Sequence, residues 1–196
     1  KSLLQLTLER AAGINSRQLI VAAEDHRFLV QECATAANVQ STILLEPVAR
    51  NTAAAMAAAA LNVPADTLLL FLPADHHIPD AAAFVATIRT GCPAALGGNI
   101  VTFGVLPTFP STAYGYIQQG RALAGVGAAH TVQRFIEKPN ATLAQEMLLT
   151  GGFFWNAGIF LVRASTLLSA LNTHARDILA SCQQAVPAQT VDGDFR

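Results

Sequence analysis

Four short apolar runs recur along the first half of this chain: Leu19 to Ala23, Thr42 to Leu45, Thr67 to Leu72 and Ile100 to Val105. An unbroken apolar run of this length suits a strand covered on both faces, and such a strand needs helices on both sides of its sheet. The stretches in between, His26 to Ala37, Thr52 to Leu61 and Ala81 to Thr90, have helical spacing. Asp25, Asn51 or Thr52, and Asp80 serve as their N-caps. The pattern specifies a doubly wound, mostly parallel α/β sheet. In the second half Tyr114 to Ile117 and Val132 to Glu137 read as strands around a Gly-rich turn. A helix over Ala141 to Thr150, a strand over Ile159 to Arg163 and one or two helices over Leu167 to Ala185 follow, so the sheet is expected to become mixed. Lys1 to Gly13 reads as an amphipathic helix capped by Ser2 with Gln5, and Val186 to Arg196, polar and containing Gly and Pro, is expected to fray.

With 196 residues, 52% of them hydrophobic, the chain can bury one substantial core, and one domain over 1–196 is the expectation. A net charge of -1 and 13% charged residues leave no basic face for tracking a phosphate backbone, which argues against a nucleic-acid partner. No apolar run approaches the roughly 20 residues that a membrane helix needs. Cys33, Cys92 and Cys182 are widely spaced, which fits reduced thiols in a cytoplasmic protein and no zinc site.

In an open parallel sheet, ligands bind beyond the carboxyl ends of the strands, where helix N-termini gather partial positive charge. Asp75 follows such a strand end, released from it by Pro73, and is either a metal-ligating carboxylate or an ordinary turn residue. Glu46 to Thr52 leads from a strand end into a helix N-terminus, so Arg50, Asn51 and Thr52 set donors beside free backbone N–H groups; a plain capped helix would look the same. Glu137 and Lys138 close a strand before Pro139, pointing to opposite sides, and otherwise form a surface ion pair. Gly115 allows close approach of backbone to a ligand or marks a bulge. Asn156 offers an amide to a hydroxyl or satisfies its own turn, and Trp155 is an apolar wall or core.

Five segments carry these residues in a fixed order: EPVARNTAAA (Glu46 to Ala55), FLPADHH (Phe71 to His77), YGYI (Tyr114 to Ile117), FIEKPN (Phe135 to Asn140) and WNAGIF (Trp155 to Phe160). Together they resemble the sugar-phosphate nucleotidyltransferases, most closely the mannose-1-phosphate guanylyltransferases, over nearly the whole chain. The resemblance implies a Rossmann-like nucleotide-diphospho-sugar transferase fold that makes GDP-mannose and pyrophosphate from GTP and mannose-1-phosphate. It implies Asp75 as a Mg²⁺ ligand and Lys138 at the phosphate, both catalytic. Glu46, Arg50, Asn51 and Thr52 would lie along the nucleotide, and Gly115, Glu137 and Asn156 along the sugar. Ala54 stands where the family pattern EPxxRNTAPA has Pro, a small departure, since a helix can begin without proline in its first turn.

Two parts of the family pattern are not found in this sequence: a first strand with its GxGxRLxPL loop, ahead of the opening helix, and a later aspartate that completes the metal site. The expectation is therefore a truncated nucleotidyltransferase core, silent in catalysis on its own. A related enzyme with another sugar or base stays open, as does a sugar-nucleotide-binding module without turnover, and self-association is undecided. A nicotinamide oxidoreductase would want Gly-x-Gly-x-x-Gly after the first strand and an acidic residue about 20 positions on, which the chain lacks.

Overall fold

The computed structural model describes residues 1–14, 17–48 and 51–196. Helix α1 (Leu3–Ala12) opens the chain, with the Ser2 hydroxyl accepting from the Gln5 amide at 3.1 Å as its N-cap. Strands β1 (Gln18–Ala23) and β2 (Ser41–Glu46) flank α2 (Arg27–Ala36) and pair in parallel, Ile20 opposite Ile43. Helix α2 follows a short 3-10 turn over Glu24–His26 and has His26 at its N-cap position, so Asp25 is not its cap. Helix α3 (Thr52–Leu61) and strand β3 (Leu68–Phe71) then lead to α4 (Ala81–Leu96), where the Asp80 carboxylate accepts from the Ala83 amide at 2.8 Å.

Helix α4 runs six residues past its expected end at Thr90, straight through Gly91 and Pro93. Packing overrides the breakers. The missing side chain of Gly91 lets the helix lie against Phe103, Val101 and Leu161, where a Cβ would meet neighbours at 3.1 to 3.4 Å. Beyond it Ala94 and Ala95 are fully buried, and that burial offsets the hydrogen bond that Pro93 cannot make.

The remaining strands are β4 (Val101–Val105), β5 (Tyr116–Ala122), β6 (His130–Ile136) and β7 (Phe153–Arg163), with α5 (Ala141–Thr150) between β6 and β7. Strand β7 is the hub of a five-stranded sheet: β3 and β5 pair with one edge of it, β4 with the other, and β6 extends β5, every ladder antiparallel. Strands β3 and β4, both antiparallel to β7, therefore run parallel to each other. The fold is mixed α/β with open sheets, and among the described strands the directly parallel ladder is β1–β2. Helices α6 (Ala164–His174) and α7 (Arg176–Ala185) pack with α3 over Leu69, Phe71 and Val162, while α4 covers the opposite face around Ile159 and Leu161. Alternation along β3 and β7 assigns these side chains to their two faces.

The segment after Ala185 does not fray. Phe195 is buried against Ile43 and Val30, and the chain there adds to the edge of β2: the Ile43 amide donates to the Asp194 carbonyl at 2.8 Å, the Arg196 amide to the Ile43 carbonyl at 2.9 Å. One large apolar anchor and a run of backbone pairs outweigh a composition that reads as loose.

Candidate active site

Asn156 lies in β7 between two glycines. Gly104 of β4 is its ladder partner on one side, and on the other its backbone amide donates to the Gly115 carbonyl at 2.8 Å. The Asn156 side chain shares a sheet face with Phe154, whereas Trp155 points to the opposite face. There Trp155 packs toward Tyr116, Met147 and Phe153, edge-on to Phe109 and Tyr114 at 4.8 and 5.1 Å.

Glu137 comes to the same place from β6. Because Tyr116 faces Ile136 across the ladder, Gly115 faces Glu137, and a Cβ on Gly115 would sit 2.9 Å from both Glu137 Oε2 and the Phe135 ring tip. Gly115 is not a bulge, since the irregularities of β5 fall at Gln118 to Ala122. Its bare backbone is what admits the Glu137 carboxylate and the exposed Phe135 ring. Lys138, next to them, holds a positive φ of 42°, a left-handed conformation that costs a side-chain-bearing residue about 1–2 kcal/mol and concentrates at functional sites. Its Nζ lies 3.8 Å from Glu137 Oε1 with both side chains mostly in water, a pair of little energetic weight that leaves both charges available.

Asp75 projects from the turn after β3, exposed and without a hydrogen-bond partner among the described residues. The turn is tied to the Asn156 neighbourhood by Gly158, whose Cβ position, at φ 65°, lies 3.3 Å from the Pro73 ring. No cluster of three or more His, Cys, Asp or Glu occurs among the described residues. A lone exposed carboxylate such as Asp75 is a donor that fits an ion held mainly by phosphate and water oxygens.

The remaining candidates stand apart. Glu46 ends β2, and Asn51 and Thr52 open α3, both exposed; Asn51 is the N-cap residue but its side chain makes no capping bond. Arg50 lies outside the described residues. Burial holds the Glu46 carboxyl above the ordinary glutamate range, and the Cys182 thiol of α7 is pushed up by burial and then by Glu46; Cys182 Sγ itself lies 3.7 Å from the Ala54 carbonyl. Among the described residues no hydrogen bond or ion pair links this group to Gly115, Glu137 or Asn156. Sequence reasoning missed Thr102 and the exposed ring of Phe135. Thr102 meets Asn156 across 54 positions of chain, a pairing that only the strand ladder reveals.

The nucleotidyl transferase family model matches residues 1–196. The chain belongs to this family. It is 44% identical, over 100% of its own length, to a mannose-1-phosphate guanylyltransferase of Sinorhizobium fredii, and 45% identical over 99% to the xanthan biosynthesis protein XanB of Xanthomonas campestris. It spans only about two-fifths of these relatives, 39% and 42%. Among solved structures, the mannose-6-phosphate isomerase of Helicobacter pylori superposes with a TM-score of 0.86 at 38% identity, over 95% of this chain and 71% of that one. A mannose-1-phosphate geranyltransferase of Thermus thermophilus gives 0.80 at 31%, over 97% and 56%. An apo UDP-glucose pyrophosphorylase, at 12% identity and a TM-score of 0.61, shares the fold alone. In this nucleotidyl transferase, no described helix is long and apolar enough to cross a membrane.

Proposed function

We propose that this chain is the nucleotidyltransferase core of a mannose-1-phosphate guanylyltransferase, working in the cytoplasm with GTP and mannose-1-phosphate to release GDP-mannose and pyrophosphate. The observation that carries the reading is the convergence of Gly115, Glu137 and Asn156 on one open sheet face. A carboxylate acceptor, an amide and an exposed aromatic ring around a bare glycine suit a polyhydroxylated ring with one apolar side. The printed names of the Sinorhizobium fredii relative and of the two similar solved structures each contain a mannose phosphate, which supports the choice of sugar.

In the proposed reaction the phosphate oxygen of the sugar phosphate attacks the α-phosphorus of GTP, the bond to the bridging oxygen of the β-phosphate breaks, and pyrophosphate leaves. The protein's contribution is positioning and charge. Glu137 and Asn156 fix the sugar hydroxyls, Lys138 meets the phosphate, and the N-terminus of α3 with Glu46, Arg50, Asn51 and Thr52 receives the nucleotide. Asp75 would hold Mg²⁺, which supplies charge neutralisation at the phosphates. The test is GDP-mannose synthesis by the full-length protein from GTP and mannose-1-phosphate, with glucose-1-phosphate and other nucleoside triphosphates as competitors. Equal use of another sugar or base would move the reading to a sibling enzyme, and product binding without synthesis would move it to a binding module.

A further inference from the structure

The Asn156 amide is locked in one orientation. Its Oδ1 lies 3.2 Å from the Gly158 backbone N–H and 3.0 Å from the Thr102 hydroxyl. A backbone N–H can only donate, so the atom facing Gly158 is oxygen and the usual ambiguity of an amide is removed. Thr102 Oγ1 also lies 3.3 Å from the Ile159 carbonyl. Two acceptors compete for its one proton, and the shorter contact is to Asn156. With Oδ1 occupied twice, Nδ2 has no acceptor among the described residues; its strand neighbours are glycines, with the Phe154 side chain over Gly104 and Glu137 and Phe135 over Gly115.

This arrangement depends on a local irregularity. Two positions of β4, Thr102 and Gly104, span four of β7, so the chain at Ala157 and Gly158 loops out, and the positive φ of Gly158 returns its N–H to the Asn156 side chain.

Resting on the proposed sugar site, we infer that Thr102 is a positioning residue that, together with the Gly158 N–H, holds Asn156 as an obligate hydrogen-bond donor, and that its ligand partner is a sugar hydroxyl read through its oxygen. Glu137, acceptor only when ionised, reads a hydroxyl through its proton. The two residues then impose opposite polarities on the sugar rim. A ligand that lacks the acceptor oxygen leaves a free donor, the arrangement by which a polar site rejects an analogue most strongly.

The experiment uses the full-length protein with Thr102→Val, Thr102→Ser and Asn156→Asp, and has two readouts. The first needs no substrate: the side-chain NH₂ signals of Asn156, assigned by their loss in Asn156→Asp, should move or broaden in Thr102→Val and keep their place in Thr102→Ser. The second is kinetic: Thr102→Val should raise the sugar-phosphate KM about fivefold to tenfold with kcat within about twofold, the size of one net hydrogen bond. Thr102→Ser should restore it. Against single-deoxy analogues of mannose-1-phosphate, the one lacking the partner hydroxyl should show no further loss in Thr102→Val, because the two changes remove the same contact. If Thr102→Val does not fold, Thr102→Ala gives the same readouts. Unmoved Asn156 signals in the valine variant would overturn the positioning role whatever the substrate proves to be. Moved signals with an unchanged KM would overturn the sugar contact. A wild-type protein that neither binds nor converts mannose-1-phosphate, with the signals moving as expected, would defeat the sugar-site reading and leave the locked amide standing.

Discussion

The Asn156 amide and the Gly115 carbonyl, 2.8 Å apart, join the strand that bears the site amide to the segment that makes room for the Glu137 carboxylate. Two separate motifs of the sequence thus become one surface. The room for the Glu137 carboxylate there depends on the absence of a side chain at Gly115.

Gly115→Ala should accordingly separate stability from binding. The new methyl would press on Glu137 Oε2 and the Phe135 ring tip, each 2.9 Å away and each the free end of a side chain that can swing aside. The melting temperature should fall little, since the clashes are with exposed side-chain ends rather than with backbone. The KM for the sugar phosphate should rise several-fold as Glu137 is displaced. A variant with wild-type KM would mean that Glu137 does not touch the sugar.

Glu137 and Lys138 should divide kinetically. Glu137→Gln is expected to act mainly on KM and Lys138→Met mainly on kcat, because the first would bind a neutral ring and the second would meet developing charge. Lys138→Gly adds a control. It removes the amine and also relieves the left-handed backbone at φ 42°, so its melting temperature should equal or exceed that of Lys138→Met while activity falls as far. Small equal effects from all three would return the pair to the solvated surface.

Much of this architecture was legible in the sequence because it rests on local signals. Helices Thr52–Leu61 and Ala141–Thr150 begin and end where spacing and caps put them, and the four apolar runs of the first half are all strands. What escaped was set by partners distant in sequence. Gly91 and Pro93 read as a stop until Phe103 and Leu161 pack against them, and Phe195 reads as tail until Ile43 pairs with it. The site followed the same division. Asp75, Glu137 and Asn156 could be named as candidates from their motifs, but Thr102 on β4 had no signal of its own, since its contact with Asn156 exists only through the irregular ladder between β4 and β7.

Asp75→Asn should leave the fold intact, because the residue is exposed and makes no hydrogen bond among the described residues. It should lower kcat by about a hundredfold or more and raise the Mg²⁺ concentration needed for half-maximal rate, as expected when one charged ligand of a sparsely held ion is lost. Chelation with EDTA should abolish turnover in the wild type, reversibly on adding Mg²⁺. A near-normal rate in the Asn variant, with unchanged metal dependence, would remove Asp75 from the site.

Glu46 makes a prediction in pH. Its folded carboxyl is held above the ordinary glutamate range by burial, so its ionisation opposes folding. Below about pH 4.3 the group is protonated in both states and this opposition is absent. As pH rises, the unfolded chain ionises first, and the stability that the protonated form contributes is lost progressively until the pH passes the raised folded value. Glu46→Gln, which cannot ionise, should therefore gain melting temperature relative to wild type between acidic and neutral pH. The same substitution removes the smaller of the two influences that raise the Cys182 thiol, burial being the larger. Alkylation of Cys182 by iodoacetamide at mildly alkaline pH should then run faster in Glu46→Gln, with Cys33 and Cys92 replaced by Ala in both proteins so that one thiol is read. A pH-independent stability difference together with an unchanged alkylation rate would show that the carboxyl lies in water, away from both α7 and the nucleotide face proposed for it.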